Sequence, residues 1–255
     1  MPPADPALID PELTDPELTG RRSAAAQISK TPISAPRVPL PQVSAILLAG
    51  GRGSRMGGVE KALLRRAGQT QIQRWLKELD GRDIRTVVVG PASLRREIPT
   101  SVPLVQETPA FAGPAAGVRS GAAELDSLDR DFEPDPGARS GVSAAVSEWT
   151  LLLAVDLTAP AALLDWLLDQ LVSPAAVLPC DDGGREQYLS AAVPTGWLMR
   201  RTAALSPAQA QNRPLRWLLQ GLEESCGLRR PVLPRGLSED VDTLDDAHRL
   251  GISLP

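Results

Sequence analysis

The chain has 255 residues, room for one large domain or two small ones, and its 27 Lys and Arg against 31 Asp and Glu leave a net charge of −4. Such mild acidity argues against nucleic acid or an anionic membrane surface as the main partner. With one histidine, His248, and two cysteines, Cys180 and Cys226, in no C-x-x-C spacing, a His/Cys zinc site and histidine-based triad catalysis are both disfavoured. Chemistry must therefore rest on carboxylates, Lys, Arg and backbone groups. No run approaches the ~20 apolar residues needed to span a bilayer. The first 30 residues lack the apolar stretch of a secretory signal, so a cytoplasmic location is expected.

Residues 1–42 carry nine prolines, no aromatic residue and a tandem repeat, Asp10-Pro11-Glu12-Leu13-Thr14 followed by Asp15-Pro16-Glu17-Leu18-Thr19. Such a segment buries too little apolar surface to offset its ordering entropy and reads as a disordered tail. From Val43 the pattern changes. Val43 to Ala49 is a short apolar run of a length suited to a buried parallel strand. Five glycines follow within nine residues (Gly50, Gly51, Gly53, Gly57 and Gly58), interleaved with Arg52, Arg55 and Lys61. A glycine-rich, locally cationic loop after a buried strand is suited to hold phosphates, because few Cβ atoms keep a ligand from the backbone N–H groups. Two common phosphate loops are excluded by spacing. Lys61 follows Glu60 rather than Gly, so there is no Walker A loop. Gly51, Gly53 and Gly57 give G-x-G-x-x-x-G, and the next strand ends in Gly90-Pro91 without the ribose-binding acid of a dinucleotide fold.

Beyond the loop, strand and helix alternate. Ile72, Trp75, Leu76 and Leu79 recur at helical spacing, and Ile84–Val89 and Val102–Val105 read as strands. Pro114 opens a helix over Ala115–Leu125. Asp126 to Ser147 is polar and reads as part of a surface insertion over 126–148. Trp149–Val155 is the most apolar strand, and Pro160 begins a helix through Leu171. Strands are expected at Ala175–Leu178, Leu189–Val193 and Val232–Leu233, and helices around Trp197–Leu205, Leu215–Leu222 and Leu244–Leu250. Trp75, Trp166 and Trp217 lie among helical leucines and are expected in the core. Arg229-Arg230 reads as a solvated turn. The alternation predicts one α/β domain, 43–255, with a mainly parallel sheet and helices on both faces. Ligands of such sheets bind beyond the carboxyl ends of the strands, where the loop after Ala49, Glu107 and Asp156 would lie. Asp156 is either a helix cap or a metal ligand, and Asp242, before the last helix, has the same two readings.

The segment Leu48-Ala49-Gly50-Gly51 … Arg55-Met56-Gly57, with Lys61 following, resembles the L-A-G-G-x-x-x-R-M-G signature loop of the MobA-like nucleotidyltransferases. Gly113-Pro114-Ala115-Ala116-Gly117-Val118 is similar to the G-P-L-A-G-I segment of molybdenum cofactor guanylyltransferases, and Gly184-Arg185-Glu186-Gln187-Tyr188-Leu189 to their G-R-x-Q-x-L segment. Asp240-Val241-Asp242-Thr243-Leu244-Asp245-Asp246 resembles the N/D-x-N/D-T-P-E-D ending of many nucleotidyltransferases. The resemblance implies a single three-layer α/β/α Rossmann-like domain that transfers GMP from GTP to the molybdopterin (molybdenum) cofactor with Mg2+, releasing pyrophosphate. It also implies contact with molybdoenzymes or cofactor-handling proteins.

By that resemblance Leu48, Ala49, Gly50 and Gly51 would hold the guanine nucleotide through backbone groups. Lys61 and Arg55 would meet its phosphates, and Glu107 stands where the family has an Asp contacting the nucleotide. Asp156 would bind Mg2+, with Asp242 as second ligand, and Arg185 and Gln187 would face the pterin. The family's C-D-x-P is Val155-Asp156-Leu157-Thr158 here, its usual Asn is Gly90, and Leu244 replaces its Pro. A cytidylyltransferase or other NTP transferase of the same fold, and a non-catalytic nucleotide-binding protein, are the rival readings.

Overall fold

The computed structural model describes residues 42–51, 57–131 and 148–255. Residues 1–41 of the expected tail, Arg55 and residues 132–147 of the expected insertion fall outside them.

The chain wraps around strand β1 (Val43–Leu48). Hairpin strands β2 (Arg65–Arg66) and β3 (Gln69–Thr70) follow, then helix α1 (Gln71–Asp80), β4 (Arg85–Val89), β5 (Leu104–Val105) and α2 (Pro114–Asp131). The second half contributes β6 (Trp149–Ala154), α3 (Pro160–Asp169), β7 (Ala176–Val177), β8 (Ser190–Pro194) and α4 (Thr195–Ala203). Three short helices, α5 (Pro207–Ala210), α6 (Leu215–Leu218) and α7 (Leu222–Cys226), lead to β9 (Leu228–Arg229) and α8 (Leu244–Arg249). Seven strands form one sheet in the order β5-β4-β1-β6-β8-β7-β9. All run parallel except β8, which is antiparallel to both β6 and β7.

Burial on both faces explains why the central strands read as unbroken apolar runs. Alternate side chains enter opposite layers. Ala45 and Leu47 of β1, with Leu151 and Leu153 of β6, pack against Ile72, Trp75 and Leu79 of α1 and Leu163, Leu164 and Leu167 of α3. Ile46 and Leu152 face the other way, towards Ala115, Val118, Ala122 and Leu125 of α2 and Trp197 and Leu198 of α4. This is the expected three-layer, mainly parallel α/β/α arrangement.

Helix α2 lies close to the sheet because of its glycines. A Cβ on Gly121 would stand 2.6 Å from Ile46 Cγ2 and 3.0 Å from Val89 Cγ2, and one on Gly117 would stand 3.2 Å from a Leu48 methyl. Gly121→Val is therefore expected to destabilise the fold by roughly 1–3 kcal/mol through overpacking. Urea unfolding followed by circular dichroism measures this, and an unchanged midpoint would contradict the packing described.

Several elements depart from the sequence expectation. Helix α2 continues through Asp131 rather than stopping at Leu125, so the first part of the expected insertion is helical. The last strand is Leu228–Arg229, paired with β7, whereas Val232 makes only an isolated bridge to Cys180. Arg229 therefore lies in a strand, and Arg230 is ion-paired to Glu186 and Glu223 rather than free in a turn. The helix expected over 215–222 stops at Leu218, and Gly221, with φ of +83°, stands at the start of the next helical segment. Trp75 is fully buried as expected, and Trp166 packs at the core's margin. Trp217 is half-buried, with the guanidinium groups of Arg201 and Arg213 each 5.4 Å from its ring centre.

Candidate active site

Strand order reverses at β1: the chain first adds β4 and β5 on one side, then crosses to β6 on the other. A crevice opens outside the carboxyl ends of the strands at such a switch point. Here backbone pairing continues past the strand ends, with Ala49 N–H donating to Val89 O (2.8 Å) and Val155 N–H to Leu48 O (3.0 Å). Leu48, Ala49, Gly50 and Gly51 thus form one wall of a cleft of about 520 Å3. Lys61, Glu107, Asp156 and Asp242 line the same cleft. The residues expected from sequence to meet the nucleotide and the metal, where they lie within the described residues, therefore all line this one cleft. Glu60, Phe111 and Leu189 also line it, and these were not singled out from sequence.

Asp156 follows β6 after a single residue, Val155. It does not cap α3, whose N-cap is Ala159 without a side-chain hydrogen bond. Instead its Oδ2 accepts from Lys61 Nζ at 2.9 Å. Asp242 is no cap either: Thr243 caps α8, in a capping box with Asp246. Lys61 Nζ also donates to Asp242 Oδ1, at 2.5 Å. Both alternatives left open by the sequence are thereby settled against capping.

Two features bring these segments together. Leu157 and Asp240 form an antiparallel bridge, flanked by Thr158 N–H to Glu239 O (3.0 Å) and Val241 N–H to Asp156 O (3.2 Å). Beyond Lys61, Leu64 packs with Val241, Ala247 and Ile252 in a small separate core. Val241 is fully buried there, so in this extended stretch its neighbours Asp240 and Asp242 point away from that core. Helix α1 braces the loop after Asp156 from below, through Trp75 Nε1 to Leu157 O (3.2 Å) and Arg74 to Thr158 O (3.0 Å).

Asp240 is the acid that the sequence reading passed over. Ligand oxygens of Asp156, Asp240 and Asp242 lie within 4.8 Å of one another. Partial burial, then the like charges of Asp242 and Asp156, push the Asp240 carboxyl above its usual pKa. Burial alone would lower the Lys61 pKa, but Asp156 and Asp242 outweigh it and hold the ammonium above its ordinary value. Three close carboxylates are a hard-oxygen donor set of the kind a divalent cation takes, and their charge suits such a cation better than a lone ammonium. The residues present fit a magnesium ion.

A second cleft, of about 620 Å3, adjoins the first and shares Pro114, Ala154, Asp156 and Leu189 with it. Arg185, Gln187, Tyr188, Arg216 and Asp240 line this cleft. The Gln187 amide donates to Asp181 Oδ2 (3.0 Å) and to Arg185 O (3.3 Å), so it shapes the loop that carries Arg185. Glu186 accepts from Tyr188 and Arg230. Its hydrogen bond from Tyr188, then that from Arg230, keep its carboxyl below the usual range, while burial, followed by Glu186, raises the Tyr188 phenol to about 12.

An open, mainly parallel sheet with its order reversed at β1 and paired clefts at the reversal defines a Rossmann-like α/β architecture. The chain belongs to the MobA-like NTP transferase domain family, whose profile matches residues 45–225. It is 29% identical over 142 residues to the molybdenum cofactor guanylyltransferase of Serratia proteamaculans, covering 55% of this chain and 62% of that protein. Over 137 residues it is 35% identical to the probable molybdenum cofactor guanylyltransferase of Methanosarcina acetivorans, covering 53% and 56%. The chain thus spans less than two thirds of the length of these curated relatives.

Among solved structures, the molybdopterin-guanine dinucleotide biosynthesis protein A of Archaeoglobus fulgidus superposes with a TM-score of 0.51 at 18% identity, over 81% of this chain and 96% of that one. The 4-diphosphocytidyl-2C-methyl-D-erythritol synthase of Anaerococcus prevotii gives 0.52 at 12% identity, over 82% and 94%. These two likenesses concern the fold alone. Among the described residues no helix is long and apolar enough to cross a membrane.

Proposed function

We propose that this chain is a metal-dependent guanylyltransferase that moves GMP from GTP to the terminal phosphate of molybdopterin and releases pyrophosphate. The observation that carries the reading is the meeting of Lys61, Asp156 and Asp242, with Asp240, beside the glycine-rich end of β1. In the reaction an oxygen of the acceptor phosphate forms a bond to the α-phosphorus of GTP. The bond from that phosphorus to the bridging oxygen of the β-phosphate breaks, and its electron pair leaves with pyrophosphate. A phosphate nucleophile is already anionic, so no strong general base is required, which suits a site without histidine among its lining residues.

The protein's task is to gather negative charge and hold the reacting groups in line. Backbone groups of Leu48, Ala49, Gly50 and Gly51 hold the nucleotide, Glu107 contacts it from across the cleft, and the Lys61 ammonium meets its phosphates. Arg55 is assigned to the phosphates by the resemblance of its motif. Asp156, Asp240 and Asp242 would hold Mg2+, whose positive charge would offset the negative charge developing on the α-phosphate and the leaving group. The acceptor lies in the adjoining cleft, where Arg185 and Arg216 offer cationic partners to its phosphate.

The same fold is shared by the 4-diphosphocytidyl-2C-methyl-D-erythritol synthase of Anaerococcus prevotii, so the base is decided by assay. Pyrophosphate release is measured with Mg2+, molybdopterin and each of the four nucleoside triphosphates. Release with GTP and not CTP is expected. Release with CTP alone would reassign the donor, and binding of GTP without turnover would favour a nucleotide sensor.

A further inference from the structure

Lys61 occupies an unusual position for a residue whose partner is a phosphate. Its ammonium is bonded to Asp156 Oδ2 and Asp242 Oδ1, two of the oxygens that a divalent cation would take. The Lys61–Asp156 pair is partly sheltered, with side-chain exposures of 22% and 23%, whereas Asp242 is more open at 36%. Charge-assisted bonds in such a setting are stronger than on an open surface, and a cation that competes for the same oxygens must break them. Asp240 stands in the trio without a bond to Lys61, leaving one carboxylate through which a metal could first be held.

We propose that Lys61 is an internal counter-cation of the Asp156–Asp240–Asp242 trio, competing with divalent metal and weakening its binding to the nucleotide-free protein. The inference rests on the functional reading above for the assignment of the trio as metal ligands. It adds that Lys61 has two seats, one on the carboxylates and one on the phosphates, so that removing it strengthens metal binding while impairing catalysis. A residue that served only the phosphates would leave metal affinity unchanged in the absence of nucleotide.

The test is a Mn2+ titration of the full chain without nucleotide, read from the electron paramagnetic resonance signal of free aqueous Mn2+. Lys61→Met and Lys61→Gln are each expected to bind Mn2+ on the order of tenfold tighter than wild type, from removal of a nearby like charge. The double variant Lys61→Met/Asp156→Asn is expected to lose that gain, tying it to the trio. Equal or weaker affinity in both single variants, with wild-type circular dichroism, overturns the counter-cation role while leaving the metal reading in place. A gain that persists in the double variant also overturns it. No binding by any of these proteins up to millimolar Mn2+ overturns the role and the metal assignment together.

Discussion

Asp156→Ala is expected to lower the rate of nucleotidyl transfer on the order of 10²-fold or more, the usual cost of losing one stabiliser of transition-state charge. Asp156 sits just past the carboxyl end of β6, between the two clefts, and among the described residues is the only acid that lines both. Its position is fixed from three sides: by the β1–β6 ladder, by the bridge to Asp240 and by the indole of Trp75 on the following loop. Loss of its carboxylate removes one of the three oxygen donors proposed for the metal and one of two partners of Lys61. The fold should persist, because the side chain is partly exposed and does not cap a helix. Steady-state pyrophosphate release, with circular dichroism as a control for folding, measures the effect. Turnover within a few-fold of wild type would remove Asp156 from the site.

Lys61→Ala is expected to cost a comparable factor, on the order of 10²-fold, with the loss falling in kcat more than in KM. Lys61 leads a short 3-10 turn whose next residue, Ala62, is buried in the core, so the ammonium projects from a fixed base. An interaction that grows as charge develops on the phosphates lowers kcat when removed, whereas one that holds ground state and transition state equally raises KM alone. Combined with the counter-cation role, this gives an unusual pair of outcomes for one residue: slower chemistry and tighter Mn2+. Neither lost charge at the phosphates nor lost metal would produce both.

Most of the fold was legible because its central strands are buried on both faces and so read as unbroken apolar runs. Val43–Leu48 and Trp149–Ala154 show this plainly, and Pro114 and Pro160 marked the starts of α2 and α3. Direction was not legible. Strand β8 is apolar like its neighbours, and nothing in its residues states that it runs against β6. The edge strand Leu228–Arg229 lacked an apolar pattern, whereas Val232, apolar and β-branched, drew the prediction yet is exposed. The hairpin of β2 and β3 turns at Ala67 and Gly68, with φ of +50° and +81°, and Ala-Gly is a weaker turn signal than Asn-Gly.

At the site, Lys61 and Asp156 were legible because each follows a local pattern, a glycine loop or an apolar run ended by an acid. Asp240 was not, because its role depends on a pairing between segments far apart in the chain. The available signal was the i, i+2 spacing of Asp240 and Asp242 about buried Val241, which in an extended stretch puts both acids on one side. The capping reading of Asp156 and Asp242 is removed only by the structure, which puts Ala159 and Thr243 at the helix starts.

The central claim is that the glycine-rich end of β1 and the acids beside it form one site for transfer of a nucleotidyl group. Its most direct test follows the α-phosphate: the chain is incubated with Mg2+, molybdopterin and GTP labelled at the α-phosphorus, and the products are separated. The account predicts label in a pterin–guanine dinucleotide in equal amount to the pyrophosphate released, with both lost in Asp156→Ala. Label recovered only as GTP, GDP or GMP, with none joined to the pterin, would contradict it.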